Sequence, residues 1–329
     1  MSKTVKEHLI SALANGDFVS GQEIADQLGV SRAAISNQMK ALTQMGLDIF
    51  KVRGKGYQLA NPIVLLDRNI IQQALLQLDQ ENVVEVHNLI DSTNDYLMRK
   101  LPNNIEHGQV CLAEYQSAGR GRRGRAWQSP FGSHLYLSYY SYLAQGMSAA
   151  MGLSLLTAIA LSDAIKDLYK IDVQLKWPND IYLNGVKLAG ILIDLEGQAS
   201  GACHCVIGVG LNLKMPEHAA NEIDQPWTDL QSHLEKSIDR NVLAASIIEK
   251  LNLRLLEQQQ SGLSEMVKRW HELDYYLNKE VKLITGNKSD TGICRGIDNQ
   301  GALLLEKTGE IFTIYGGEVS LRGLDASTR

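Results

Sequence analysis

Residues 119–125 read GRGRRGR, four arginines and three glycines in seven positions, in a chain whose formal net charge is −5. Neither helix nor strand selects that composition, because glycine loses the most backbone freedom in both. A solvated loop does not need Arg120, Arg122, Arg123 and Arg125 together. A loop that closes over an anion does, since a guanidinium is permanently charged and forks to match carboxylate and phosphate. Gly119 and Gly121 would let its backbone approach closely. Four further runs carry polar groups at strand ends: DSTN at 91–94, KWPND at 176–180, KLAGILID at 187–194 and GVGLN at 208–212. Lys176 and Asp180 flank Pro178, which fixes the chain after a strand. Lys187 starts a returning strand, and Gly190 leaves room there for a ligand or a second backbone. There is no Walker A motif, no dinucleotide fingerprint and no credible Ser-His-Asp or Cys-His set. Any nucleotide must be held by the arginine loop.

Three textures of sequence must position these groups. Residues 66–272 alternate strand-like runs with helical patterns near 92–100, 147–169 and 242–272. Asn184-Gly185 reads as a two-residue hairpin turn. The pattern predicts a mixed or largely antiparallel sheet with packed helices. Residues 273–329 give short strands with turns at 298–301 and 307–309, which predicts a small β-barrel of about five strands.

Residues 1–65 read as helices followed by a hairpin. Ser20 and Glu23 predict a capping box, Gly29 a positive-φ turn, and Ser31 the cap of a second helix. That is a helix-turn-helix. Its second helix would present Ser31, Arg32, Ser36, Asn37 and Lys40 to a major groove. DIFKVRGKGYQL then forms a wing bearing Lys51, Arg53 and Lys55 for the phosphate backbone. A small helical bundle with a solvated face is the alternative reading. The overall class is α+β.

Composition narrows the rest. With 44% hydrophobic residues the chain can bury more than one core, and its acidic balance confines any nucleic-acid contact to a local patch. Cys203-His204-Cys205 lacks a second ligand pair for zinc and alternates like a strand. The N-terminus lacks a signal peptide's apolar core, and the apolar run from Ser148 breaks at Asp163, so the expected location is cytoplasmic, away from membranes.

DSTN, GRGRRGRAW, KWPND, KLAGIL and GVGLN occur in the order and spacing of biotin–protein ligases, which this chain resembles over almost its full length. The preceding helix-turn-helix resembles that of the bifunctional ligases that also repress the biotin operon. The resemblance implies a ligase domain followed by an SH3-like barrel. It implies formation of biotinyl-5′-AMP from biotin and ATP with Mg2+, then transfer of biotin to a lysine of a biotin carboxyl carrier protein. Lys187 and Arg120 would be catalytic. Ser92, Thr93, Asn94, Gln116, Gly119, Arg120, Gly121, Arg122 and Lys187 would hold biotin. Arg120, Arg122, Lys176, Asp180, Lys187, Asn212 and Trp227 would hold the nucleotide. Ser92 and Thr93 could instead only cap a helix, Trp127 could be core rather than pocket wall, and Trp227 could lie on a surface loop. Arg123 and Arg125 could order the loop or serve the surface. The resemblance further implies a homodimer on biotinyl-5′-AMP that binds operator DNA. A lipoate or octanoyl ligase and a non-catalytic biotin-sensing repressor are the rival readings; the former families lack KWPND and the arginine run.

Overall fold

The computed structural model describes residues 4–143, 152–197, 202–221, 223–285, 288–315 and 319–323. At the N-terminus lie α1 (Val5–Leu13), α2 (Gly21–Leu28), α3 (Arg32–Gln44), β1 (Ile49–Val52) and β2 (Gly56–Leu59). Ser20 caps α2 by accepting the Glu23 amide, but the Glu23 carboxylate does not return a bond to the Ser20 amide. The full capping box sits at Thr4 and Glu7 on α1 instead. Gly29 ends α2 at φ 64°, and Ser31 caps α3. Ile35, Met39 and Leu42 bury one stripe of α3 against Leu9, Leu13 and Ile24. Arg32, Asn37 and Lys40 face solvent, with Ser36 half-buried. β1 and β2 form an antiparallel hairpin, to which Val19 adds a third strand position by pairing with Tyr57. The winged helix-turn-helix expected from sequence is present.

The central unit comprises α4 (Arg68–Gln77), β3 (Val84–His87), α5 (Thr93–Met98), β4 (Val110–Ala113), β5 (His134–Leu143), α6 (Leu153–Tyr169), β6 (Gln174–Lys176), β7 (Asp180–Leu183), β8 (Val186–Gly197), β9 (Cys203–Asn212), α7 (Glu217–Ala220), α8 (Arg240–Ser261) and α9 (Ser264–Leu273). Its seven strands run β3-β4-β5-β9-β8-β7-β6. The β3–β4 pair is parallel and the others are antiparallel, a mixed sheet. Because successive strand residues face opposite sides, each strand supplies two cores. Leu112, Tyr139 and Ile207 pack with Ile159 and Leu251 on one face, while Cys111, Tyr140 and Val206 pack with Leu97 of α5 on the other. Asn184 and Gly185, at φ 52° and 80°, make the expected hairpin turn between β7 and β8. Cys203 and Cys205 are strand residues, as the alternation suggested. The helix expected over 242–272 is two helices, because Gly262 adopts φ 68° between α8 and α9. The start of the helix expected from 147 lies outside the described residues.

The last unit has β10 (Glu280–Thr285), β11 (Lys288–Ile297), β12 (Leu303–Lys307), β13 (Glu310–Ile314) and β14 (Val319–Gly323), ordered β13-β12-β11-β10-β14 and antiparallel throughout. The strand number matches the expected barrel; among the described residues β13 and β14 form the two edges.

The units interlock. Phe131, from the loop after the arginine run, is buried in the N-terminal core, and its amide donates to the Met45 carbonyl at 2.8 Å. Arg240 on α8 holds the buried Glu114 at 2.6 and 3.1 Å and donates to the Val64 carbonyl at 2.8 Å. The buried Trp177 donates its indole N–H to Gly301 at 3.1 Å, joining the central and terminal sheets.

Candidate functional site

The site grows out of two adjacent strands, β8 and β9, that place glycines at facing positions. Gly190 on β8 is in register with Gly210 on β9, so the sheet has a bare strip there. The Trp127 indole lies in that strip. A Cβ on Gly210 would come within 2.4 Å of its ring and one on Gly190 within 3.0 Å. Gly208, two residues along the same face, meets Asn94 equally closely. Three glycines thus open a cleft that any side chain would fill.

That cleft is part of a cavity of about 790 Å3. Ser92, Thr93, Asn94, Gln116, Arg120, Gly121, Arg122, Lys176, Asp180 and Lys187 all line it, as do Arg123, Arg125 and Trp127. Asn212 and Trp227 line an adjoining cavity of about 250 Å3, which shares Arg125, Trp127 and Lys187 with the larger one. Gly119 lies at the base of the arginine loop, where a Cβ would come within 2.6 Å of Ser129 Oγ. Every small-molecule residue singled out from sequence therefore falls in or beside one connected space. The eight residues expected from sequence to meet DNA lie apart from it, on α3, its cap and the wing.

The two ends of the cavity differ chemically. At one end Ser92 accepts the Asp95 amide and caps α5, so the capping and pocket-lining roles coexist. Thr93 donates both its amide, at 2.9 Å, and its hydroxyl, at 3.1 Å, to Gln116 Oε1. Ser138 Oγ lies 2.7 Å from Thr93 Oγ1 and 2.5 Å from Asn94 Oδ1, and its single proton can serve one of them at a time. This is a buried set of donors and acceptors suited to a small polar ring.

The other end is cationic. Arg122, Arg123, Arg125, Lys176, Lys187 and Arg322 line the cavity against the carboxylates of Asp180 and Asp224, while Arg120 shares Asp194 with the Asn94 amide and so lies between the two ends. Lys187 Nζ is 2.7 Å from Asp180 Oδ1 and 5.6 Å from the Trp127 ring centre. Lys176 Nζ is 3.8 Å from Asp180 and donates to Tyr182 at 2.8 Å. The arginine loop is a tight turn: Gly121 N–H donates to Arg125, Trp127 N–H to Gly119, and Arg120 pairs with Ala126. Arg120 bridges Asp95 and Asp194, the latter at 2.9 Å. Burial disfavours its charge, but the two carboxylates outweigh burial and raise its pKa. Arg122 donates to Asn179 at 2.9 Å, and burial pulls its pKa below the usual range, against the pull of Asp180. Burial thus opposes the charge of both arginines, and it prevails at Arg122, where a bound anion would compensate for it.

The segment after β9 folds back over the site. Thr228 N–H donates to the Lys187 carbonyl at 2.8 Å, and Asn212 Nδ2 donates to the Thr228 carbonyl at 3.1 Å. This pins Trp227 beside Asn212 and the start of β8. The Trp127 indole N–H is buried with no acceptor among the described residues, which is uncommon in a finished core.

Some participants were not singled out from sequence. Asp95 and Asp194 hold Arg120, Ser138 joins Thr93 to Asn94, Tyr276 reaches the cavity from the turn before β10, and Arg322 reaches it from β14. Asp95 directly follows DSTN and Asp194 ends KLAGILID, so both were within reach of charge matching to the arginines. Tyr276 and Arg322 carry no local signal.

The family description "Biotin/lipoate A/B protein ligase family" matches residues 86–212, "HTH domain" matches 5–58, and "Biotin protein ligase C terminal domain" matches 276–322. The chain is 48% identical over 322 residues to the bifunctional ligase/repressor BirA of Salmonella typhimurium, covering 98% of this chain and 99% of that one. It is 47% identical over 322 residues to the Escherichia coli protein of the same description, covering 98% of both. The fold matches the biotin protein ligase of Aquifex aeolicus solved with biotin and ATP, with a TM-score of 0.63, 28% identity, and coverage of 73% of this chain and 99% of that one. A helix-turn-helix, a cationic glycine-floored cleft and full-length similarity agree: the chain belongs to the biotin protein ligases, in their bifunctional ligase/repressor form.

Proposed function

We propose that biotin and ATP meet in the larger cavity, biotin's ureido ring at the Ser92–Thr93–Asn94–Gln116 end and the reacting anions between Lys187 and the arginine loop. The observation that carries this reading is the convergence of Lys187, Lys176, Arg120 and Arg122 on one cleft whose other end offers uncharged Ser92, Thr93 and Gln116. A biotin carboxylate oxygen attacks the α-phosphorus, the bond to the bridging oxygen breaks, and pyrophosphate leaves. Both reactants are anions, and negative charge grows on the non-bridging oxygens. Fixed donors aimed at that charge contribute on the order of 3 kcal/mol each. Lys187 serves the carboxylate and α-phosphate together. Arg120 and Arg122 close over them on the backbone freedom of Gly119 and Gly121. Lys176 and Asp180 orient Lys187 and the phosphates, while Asn212 and Trp227 take the adenine. The carrier lysine amine then attacks the acyl carbon of the mixed anhydride and AMP leaves.

Magnesium fits as an ion carried on the nucleotide's phosphates. Among the described residues no group of three acidic, His or Cys side chains could hold a metal, and Asp180 and Asp194 already face cations. The domain boundaries we propose are 1–65, 66–272 and 273–329. The four cysteines are free and buried, which suits a reducing cytoplasm. No described helix is long and apolar enough to cross a membrane. Adenylate binding orders the loops and favours a homodimer, which brings two winged helices to two half-sites. Ser31, Arg32, Ser36, Asn37 and Lys40 would meet the major groove, and Lys51, Arg53 and Lys55 the flanking phosphates. Incubation with labelled biotin, ATP, magnesium and a carrier domain, with DNA binding measured before and after adenylate forms, tests both activities. Labelled carrier and adenylate-dependent DNA binding are expected; biotin binding without carrier labelling defeats the ligase assignment.

A further inference from the structure

We infer that Phe18 is a positioning residue for DNA binding, holding the wing-tip cation Lys55 over the phosphate backbone; this rests on the reading that the wing touches DNA. Val19 pairs with Tyr57, which places Phe18 beside Gln58, whose partner on β1 is Phe50. Phe18 and Phe50 meet edge to face at 6.2 Å and 89°, yet are 39% and 41% exposed. Two phenylalanines left this open contribute little to the core. What Phe18 does meet is Lys55, whose Nζ lies 5.3 Å from its ring centre, and Lys51 lies over Tyr57 at the same distance.

The choice of partner matters. Some surface lysines elsewhere meet carboxylates, as Lys166 does Asp172 and Lys268 does Glu265. Among the described residues none of Lys51, Arg53 and Lys55 has an ion pair, although Asp48 lies three residues before Lys51 and Asp17 next to Phe18. A carboxylate would cancel the charge and would have to be displaced by an incoming phosphate. An aromatic face restricts the ammonium while leaving its charge available. Phe50 in turn braces the Phe18 ring. The wing therefore presents pre-positioned cations that lose less side-chain freedom when they meet DNA.

The test uses the full-length chain with biotin and ATP, and a duplex selected by that chain from a random-sequence pool. Affinity is measured across a salt series for Phe18→Leu, Phe18→Tyr, Lys55→Ala and the Phe18→Leu/Lys55→Ala pair, with carrier labelling as the folding control. Lys55→Ala removes one phosphate contact from each of the two wings of the dimer, so it should flatten the log–log salt slope by about 1.8, twice the value of about 0.9 for a single contact. Phe18→Leu, acting in both wings, should weaken binding about 5–30-fold and move the slope the same way. It should add nothing when Lys55 is already absent, and Phe18→Tyr should restore affinity. Full affinity in Phe18→Leu, or an equal loss with and without Lys55, overturns the inference. If Lys55→Ala itself changes nothing, Lys55 does not contact phosphate and the inference falls, while the wing reading then rests on Lys51 and Arg53.

Discussion

Lys187 Nζ and Asp180 Oδ1 are 2.7 Å apart across the β7–β8 hairpin, so the ammonium is aimed into the cavity before any substrate arrives. A flexible lysine would otherwise lose about 2 kcal/mol of rotamer freedom on being fixed. Lys187→Ala should lower adenylate formation by at least about 100-fold, the scale of one lost charge-stabilising donor. Biotin affinity should change only several-fold, because the ureido end is untouched. Pyrophosphate release at the parental rate would remove Lys187 from the chemistry.

Arg120 ties the loop to Asp95 on α5 and Asp194 on β8. Arg120→Gly deletes both ties and adds backbone freedom to a segment already rich in glycine. The loop should open more often, and biotinyl-5′-AMP should dissociate at least about tenfold faster, equivalent to roughly 1.4 kcal/mol. Stopped-flow measurement of adenylate release decides this, and an unchanged off-rate argues that the loop does not retain the intermediate.

Gly210 supports Trp127 so closely that a methyl group cannot coexist with the present ring position. Gly210→Ala should displace the indole and narrow the cleft, at about 1–3 kcal/mol of overpacking. Biotin binding, followed by calorimetry, should weaken more in Gly210→Ala than in Gly190→Ala, where the alanine meets the movable end of Lys187 and a looser ring contact.

Phe131 lies four residues beyond Trp127 yet belongs to the N-terminal core, with its amide on the carbonyl that ends α3. Phe131→Ala should cost about 3–5 kcal/mol at that core. Differential scanning calorimetry should show the N-terminal unit melting earlier and DNA binding lost. Deleting residues 1–65 leaves Phe131 uncovered and removes the Val64 carbonyl from Arg240, so that variant should lose DNA binding and also aggregate more readily.

His134 is fully buried, accepts the Leu213 amide at Nδ1 and faces Met215 sulfur with Nε2 at 3.4 Å. Burial pushes its pKa down to about 4. Below about 6.5 the unfolded chain binds a proton that the folded chain refuses, so this stability is intact above that value and is lost as pH falls toward about 4. The full loss is on the order of 3 kcal/mol. Urea denaturation at stepped pH should show the decline, and a His134→Gln variant should show less of it across the same window.

The sequence by itself was enough to find the cations, the glycines between them and the spacing that gives the hairpin at 184–185. Those features are local, because glycine and arginine have few alternative uses when clustered, and Asn-Gly has one favoured turn. The same held for the cap-and-stripe pattern of α3. Only the tertiary structure decided that Gly190 and Gly210 lie side by side, since that depends on the β8–β9 register and not on either strand alone. It also decided which carboxylates hold Arg120, that Phe131 packs into another unit's core, and that Tyr276, from the turn before β10, and Arg322, from β14, reach the cleft. Each of these joins residues from separate elements, and pairings over such distances are set by the packing of whole faces, which no short stretch of sequence encodes.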